Sequence, residues 1–280
     1  MENNGHNKDQ ASVELTPEQS AINQLDSMLP IDEFEEEVSE GGETVTKKGV
    51  YLLPNLFTTA ALFSGFYAVV ASTQGRFEQA AIAIFVAMIL DITDGRVARM
   101  MNAQSKFGAE YDSLSDMISF GMAPAIAMFC WALEDSLGKV GWMAAFVYVA
   151  GAALRLARFN TQPESTDKRY FTGLASPAAA ALLAAVMWVC TDLGWVGENM
   201  PSFMPYTIAI MTAVTGILMI SNLRYPSFKG INFMGRVPLT VIVAIIAVFA
   251  VIGMDPPKVL LVLISIYVLS GFVVSLKKPS

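Results

Sequence analysis

Long stretches free of Asp, Glu, Lys and Arg alternate with short charged ones along most of this chain. Such runs cover residues 49–75, 170–191, 199–223, 237–254 and 259–276, with 27, 22, 25, 18 and 18 residues. A helix that crosses a bilayer needs about 20 predominantly apolar residues, with a range of about 17–25, and these five runs meet that need. Three shorter runs, 79–90, 117–133 and 140–154, reach it only by taking in ionisable residues at one end. Those residues are Asp91 and Asp94, then Asp112 and Asp116, then Arg155 and Arg158. A charge at the centre of a membrane helix costs about 2.5–3.5 kcal/mol, so charged ends of this kind are read as serving a purpose. The pattern predicts an all-α, polytopic integral membrane bundle of about eight transmembrane helices.

Composition sharpens this. Of 280 residues, 54% are hydrophobic and only 15% charged, against about 25% charged in an average soluble domain. A soluble enzyme, a disulfide scaffold and a nucleic-acid binder are thereby excluded. The net charge of −7 is unevenly spread: residues 1–48 hold 12 acids and 3 bases, and the rest of the chain is nearly neutral. Residues 1–46 are predicted to form an acidic, disordered cytoplasmic tail. Residues 47–236 are predicted as a six-span catalytic membrane domain, and residues 237–280 as two further helices. Eight spans put both termini on one side. That side then carries 15 of the Lys and Arg residues and the other side 3, which the positive-inside rule assigns to the cytoplasm. The one histidine, His6, lies in the tail, so the membrane body has no His-based metal site or triad. Cys130 and Cys190 sit in apolar runs and read as packing residues.

Candidate chemistry concentrates in residues 91–116, DITDGRVARMMNAQSKFGAEYDSLSD. Asp91 and Asp94 are i and i+3 on a helix, and Asp112 and Asp116 are i and i+4, each pair on one face. The seven residues between the helices let them return antiparallel, so the four carboxylates are predicted to converge near the cytoplasmic end of the pair. Divalent cations are the simplest relief of their mutual repulsion. Hard oxygen donors without His or Cys favour Mg²⁺, Mn²⁺ or Ca²⁺ over zinc. Four carboxylates suit two ions about 3.5–4 Å apart, an arrangement used for in-line displacement at phosphorus. Gly95 and Gly108 lack a Cβ and leave room for a phosphate or nucleotide at the backbone. Arg99, one turn after Gly95, offers guanidinium donors to phosphate.

The spacing D-x2-D-G-x2-A-R-x8-G-x3-D-x3-D, filled by Asp91, Asp94, Gly95, Ala98, Arg99, Gly108, Asp112 and Asp116, resembles the signature of the CDP-alcohol phosphotransferase family. The resemblance implies that the four aspartates surround a two-metal site with Mg²⁺ or Mn²⁺, and that Asp116 is the general base for an incoming hydroxyl. It implies that Gly95, Arg99, Gly108 and Ser105, with Asn55 and Thr58 at the end of the first span, touch the CDP-diacylglycerol substrate. A homodimer in the cell membrane is also implied.

Over residues 51–180 the chain is similar to the phosphatidylserine synthase branch, through YLLPNLFT, FGAEYDSLSDMISFGMAPA, ALRLARFNTQ and DKRYFTGLASPAAA; Ala175 stands where that branch more usually has Pro. The acceptor implied is L-serine. Arg155 and Arg158 offer donors for its carboxylate, with Lys168 and Arg169 nearby. Glycerol 3-phosphate or inositol phosphate as acceptor is the alternative within the family. A divalent-cation transporter is the alternative outside it, and it would place its carboxylates near the middle of the membrane.

Overall fold

The computed structural model describes residues 36–40, 43–47, 52–100, 106–161, 170–226 and 253–277. Residues 1–50 and 51–280 form two separate units.

In the first unit, β1 (Glu36–Glu40) pairs antiparallel with β2 (Glu43–Lys47), from Glu36 opposite Lys47 to Glu40 opposite Glu43. The expectation of a disordered tail is corrected over nine of its residues, 36–40 and 43–46; the remainder of residues 1–46 lies outside the described residues. Val38 faces Val45 across the ladder, and β-branched residues such as Val and Thr suit a strand. The high acid content had masked this local pattern.

The second unit is a bundle of helices. α1 (Leu52–Thr73) admits Pro54 in its first turn, where a missing N–H breaks no helical bond. It ends at Gly75, whose φ of 71° suits glycine, and α2 (Phe77–Met100) follows directly. α1 and α2 pack along each other, with buried Ala68 and Ala71 on one and Ala80, Ala83 and Ala87 on the other. Ser64 Oγ donates to the Ala83 carbonyl at 2.8 Å. Small residues and short polar bonds are what hold helices together where lipid removes the hydrophobic drive.

Next comes a long rod. It comprises α3 (Lys106–Asp116), a π-helical turn (Met117–Met122), α4 (Ala123–Met128), a second π turn (Phe129–Leu133) and α5 (Glu134–Leu137). The first π turn follows from Pro124, near the start of α4. Proline has no N–H, so the carbonyl four residues earlier, that of Phe120, loses its helical donor. Buried Tyr148 supplies the replacement, its hydroxyl donating to Phe120 O at 2.9 Å. Tyr148→Phe is expected to destabilise the protein by about 1–3 kcal/mol, the cost of a buried carbonyl left unpaired. Thermal unfolding in detergent checks this.

Ser115 and Ser119, i and i+4, donate to the carbonyls of Thr58 and Ala61 on α1 at 3.2 and 3.1 Å. A Cβ on Gly65 would lie 2.3 Å from Ser119 Oγ, so this crossing requires glycine. These contacts fix the rotation of the rod and turn Asp116 towards α1 and α2.

After Gly138, α6 (Lys139–Thr161) runs back. β3 (Tyr170–Thr172) leads into α7 (Ser176–Asp192), and α8 (Met204–Ile220) leads into β4 (Arg224–Pro226). β3 and β4 pair antiparallel, joining the start of α7 to the end of α8. α6 and α8 touch backbone to backbone, since a Cβ on Gly151 would meet Gly216 O at 2.3 Å. Last is α9 (Pro256–Lys277), against α7 and β4.

The bundle is all-α apart from these short strands. Large side chains such as Phe63, Phe66, Ile89, Ile210, Ile217 and Ile266 point outward while alanines fill the interior, as a lipid-bathed bundle requires. Among the described residues, four helices are long and apolar enough to cross a membrane: Pro54–Thr73, Phe107–Leu137, Lys139–Thr161 and Pro256–Ser275. Ser176–Asp192 and Met204–Ile220 are shorter apolar helices. α2 is 24 residues long, but its C-terminal part carries Asp91, Asp94, Arg96 and Arg99. The expected span at 237–254 lies almost entirely outside the described residues.

Candidate active site

The acidic side chains come from two neighbouring helices. Asp91 and Asp94 lie in the last part of α2, Asp112 and Asp116 on α3. One carboxylate oxygen from each of Asp91, Asp112 and Asp116 lies within 4.8 Å of the others, and all three residues are half-buried. Asp94 adjoins this group but is tied differently. It is 5% exposed, and its Oδ2 accepts a hydrogen bond from Thr58 Oγ1 at 2.8 Å. The same hydroxyl lies 3.2 Å from the Pro54 carbonyl. Positions three apart on a helix differ by about 60° in direction, enough for Asp91 to face α3 while Asp94 faces α1.

Thr58 was singled out in the sequence as a substrate contact. The structure gives it a role the sequence did not suggest, as the donor that orients Asp94. Thr58→Val keeps the shape and removes the donor, leaving a buried carboxylate short of a partner. Turnover is expected to fall about tenfold or more, from the loss of a hydrogen bond to a charged group; initial rates at saturating substrate check it.

Three carboxylates at this separation repel strongly inside a bundle. Among the described residues they form a hard, oxygen-only donor set without His or Cys, and so fit a divalent cation. Beside them, Arg99 folds back over Gly95: a Cβ built there would sit 3.7 Å from an Arg99 Nη. The gap above Gly95 and the exposed guanidinium thus form one surface at the end of α2. Gly108 opens α3 and is half-buried. Asn55 is half-buried in the first turn of α1. Ser105 lies outside the described residues.

The basic residues part company. Arg155 faces the acidic group, within electrostatic reach of Asp116 and of Tyr267 from α9. Its Nη1 donates to Ser176 Oγ at 3.3 Å, and its Nε is buried with no hydrogen-bond partner among the described residues. Arg158, one turn on, donates instead to Asn222 Oδ1 at 3.1 Å and braces α6 against the end of α8. Lys168 and Arg169 lie outside the described residues.

Two further links were not foreseen. Asn160 Nδ2 donates to Ser113 Oγ at 3.1 Å, joining α6 to α3. The Thr59 and Tyr111 hydroxyls meet at 2.9 Å, joining α1 to α3. The i, i+4 spacing of Ser115 and Ser119 was the available signal for a bonded face on this rod.

Comparison with known proteins bears on the same stretch. A family model described as CDP-alcohol phosphatidyltransferase matches residues 51–223. The CDP-diacylglycerol–serine O-phosphatidyltransferase of Helicobacter pylori strain 26695 is 33% identical over 224 residues, covering 80% of this chain and 91% of that protein. The protein of that name from Bacillus subtilis is 30% identical over 177 residues, covering 63% of this chain and 91% of that protein. Among solved structures, the Mycobacterium tuberculosis phosphatidylinositol phosphate synthase with CDP-DAG bound superposes with a TM-score of 0.42 at 17% identity. It covers 59% of this chain and 81% of that one.

Proposed function

Since the chain belongs to the CDP-alcohol phosphatidyltransferase family, we propose that it is a multi-pass membrane enzyme transferring a phosphatidyl group from CDP-diacylglycerol to L-serine. The products are phosphatidylserine and CMP. The observation that carries this reading is the meeting of Asp91, Asp112 and Asp116 beside the Gly95–Arg99 surface. The relatives named as serine phosphatidyltransferases support the choice of acceptor.

The serine hydroxyl oxygen forms a bond to the phosphorus that carries diacylglycerol. The bond from that phosphorus to the oxygen of the cytidylyl phosphate breaks, and CMP leaves with the electron pair. The hydroxyl proton passes to Asp116. A free hydroxyl is a weak nucleophile at neutral pH, and a positioned base contributes about 10²–10⁴-fold. Asp91, Asp112 and Asp116 would hold a divalent ion, Mg²⁺ or Mn²⁺, with Asp94 offering a fourth carboxylate for a second. When bound, such ions supply positive charge that neutralises the diphosphate and the leaving oxygen.

Arg99 pairs with a phosphate oxygen, and Gly95 leaves room for the diphosphate at the α2 backbone. Asn55, Ser105 and Gly108 complete the nucleotide side. Arg155 receives the serine carboxylate: a buried, charged N–H without a partner is costly, and an incoming carboxylate satisfies it. Lys168 and Arg169 stay assigned to the serine side; Arg158 acts there through the brace it forms. The basic ends of the helices support a cytoplasmic face for this site. The lipid tails remain in the bilayer while the head group enters.

An acceptor panel tests the reading. Purified protein with CDP-diacylglycerol releases CMP on addition of serine and stays silent with glycerol 3-phosphate or inositol phosphate. CMP release with either phosphorylated acceptor, and none with serine, contradicts the choice of acceptor.

A further inference from the structure

Two contacts fix α6 against the rod. Asn160 Nδ2 donates to Ser113 Oγ at 3.1 Å, and a Cβ on Gly121 would lie 3.3 Å from the Cβ of Ala152. The partners are eight residues apart on each element and in opposite chain order, so α6 and the rod run antiparallel and in step. Asp116 and Arg155 both fall between these contacts. At 1.5 Å per residue, Arg155 stands within about 3 Å of the level of Asp116 along the axis. The start of α7 meets Arg155 here. Gly173 N–H donates to Leu223 O at 2.8 Å and Leu174 N–H to Leu218 O at 3.1 Å, extending the β3–β4 ladder. Gly173 has a φ of 81°, and a Cβ on it would lie 2.3 Å from Met219 O, so this backbone lock requires glycine. Ser176, three residues on, is fully buried, and Arg155 Nη1 donates to its Oγ at 3.3 Å. Among the described residues this guanidinium is the hydroxyl's one partner.

We infer that Ser176 is a positioning residue for the acceptor: from the locked start of α7 it holds the Arg155 guanidinium where the serine carboxylate arrives. This rests on the reading of Arg155 given above. A fully buried hydroxyl is out of the substrate's reach, so Ser176 acts through Arg155, which is half-buried. Arg carries donors only, so the serine oxygen is the acceptor of the pair. An acidic anchor would neutralise the charge that the substrate needs, whereas a hydroxyl holds one Nη and leaves that charge in place. Arg155 Nε stays without a partner among the described residues, a donor still to be filled. A long Arg side chain loses much rotamer freedom when fixed. An anchor set on locked backbone removes that loss from the binding step.

Ser176→Ala in the full-length protein tests this, because it removes a single oxygen. The KM for serine rises about tenfold, from the loss of a hydrogen bond to a charged group, while kcat and the KM for CDP-diacylglycerol change less than twofold. An unchanged serine KM, or an equal rise in both KM values, overturns the inference. Ser176→Thr keeps a hydroxyl acceptor and returns the serine KM to within twofold of wild type. A serine KM raised equally in the two variants also overturns it, since damage to packing then explains both. Arg155→Lys separates this inference from its parent. A serine KM that responds to Arg155→Lys but not to Ser176→Ala removes the role of Ser176 alone. Wild-type protein that makes no phosphatidylserine, or a serine KM indifferent to Arg155→Lys, shows that the parent reading has failed, and this one with it.

Discussion

Asp116→Asn is expected to lower turnover about 10³-fold while the protein still binds CDP-diacylglycerol. The change is isosteric and leaves the serine bonds of the rod to α1 in place, so the fold is retained. What is lost is the ability to take the serine proton, which lies in the range of about 10²–10⁴-fold for general base catalysis. One of the three converging carboxylates is lost with it. Gly95 and Arg99 stand on the other helix and are untouched. Steady-state kcat, with binding of the lipid nucleotide followed by tryptophan fluorescence, separates the two effects. Near-normal kcat removes the base role from Asp116.

Asp91→Asn has a second large effect, with a sign that sets it apart from ordinary damage. Without metal, the three carboxylates repel one another within 4.8 Å. Removing one charge is expected to raise the melting temperature of metal-free protein. The same change takes away a ligand. Loss of a residue that merely supports a ligand costs about 10–100-fold in metal affinity, and loss of the ligand itself costs at least that. The stabilisation gained on adding Mn²⁺, which grows with the ratio of metal concentration to Kd, shrinks accordingly. Thermal melts with and without Mn²⁺ read both changes. A variant less stable than wild type without metal, yet equally stabilised by it, speaks against a shared ion site.

The membrane helices were legible because their signal is long and chemically simple. Seven of the eight predicted spans coincide with helices, but among the described residues only four of these are long and apolar enough to cross a membrane; the eighth lies almost wholly beyond the described residues. The acidic pairs were legible too, since i, i+3 and i, i+4 spacings survive whatever the tertiary packing. Helical spacing could not divide their labour. It put Asp91 and Asp94 on a common face, and only the approach of α1 shows Asp94 turned to Thr58.

Arg155 and Arg158 looked equivalent for the same reason. Their difference depends on the segment just after α8, which supplies Asn222 to one, and on the start of α7, which brings Ser176 to the other. The π turn after Asp116 follows from Pro124, visible in the sequence. Its stability depends on Tyr148, 24 residues away and on another helix. The strands β3 and β4 are three residues each and pair across more than 50 residues of chain, a separation that local pattern does not span.

The most direct test of the whole account is formation of phosphatidylserine from CDP-diacylglycerol and isotopically labelled serine by the purified protein, before and after chelation of divalent cations. The account predicts equal amounts of labelled lipid and CMP, loss of both with EDTA, and recovery with added Mg²⁺ or Mn²⁺. Labelled lipid formed at an undiminished rate in EDTA would contradict it.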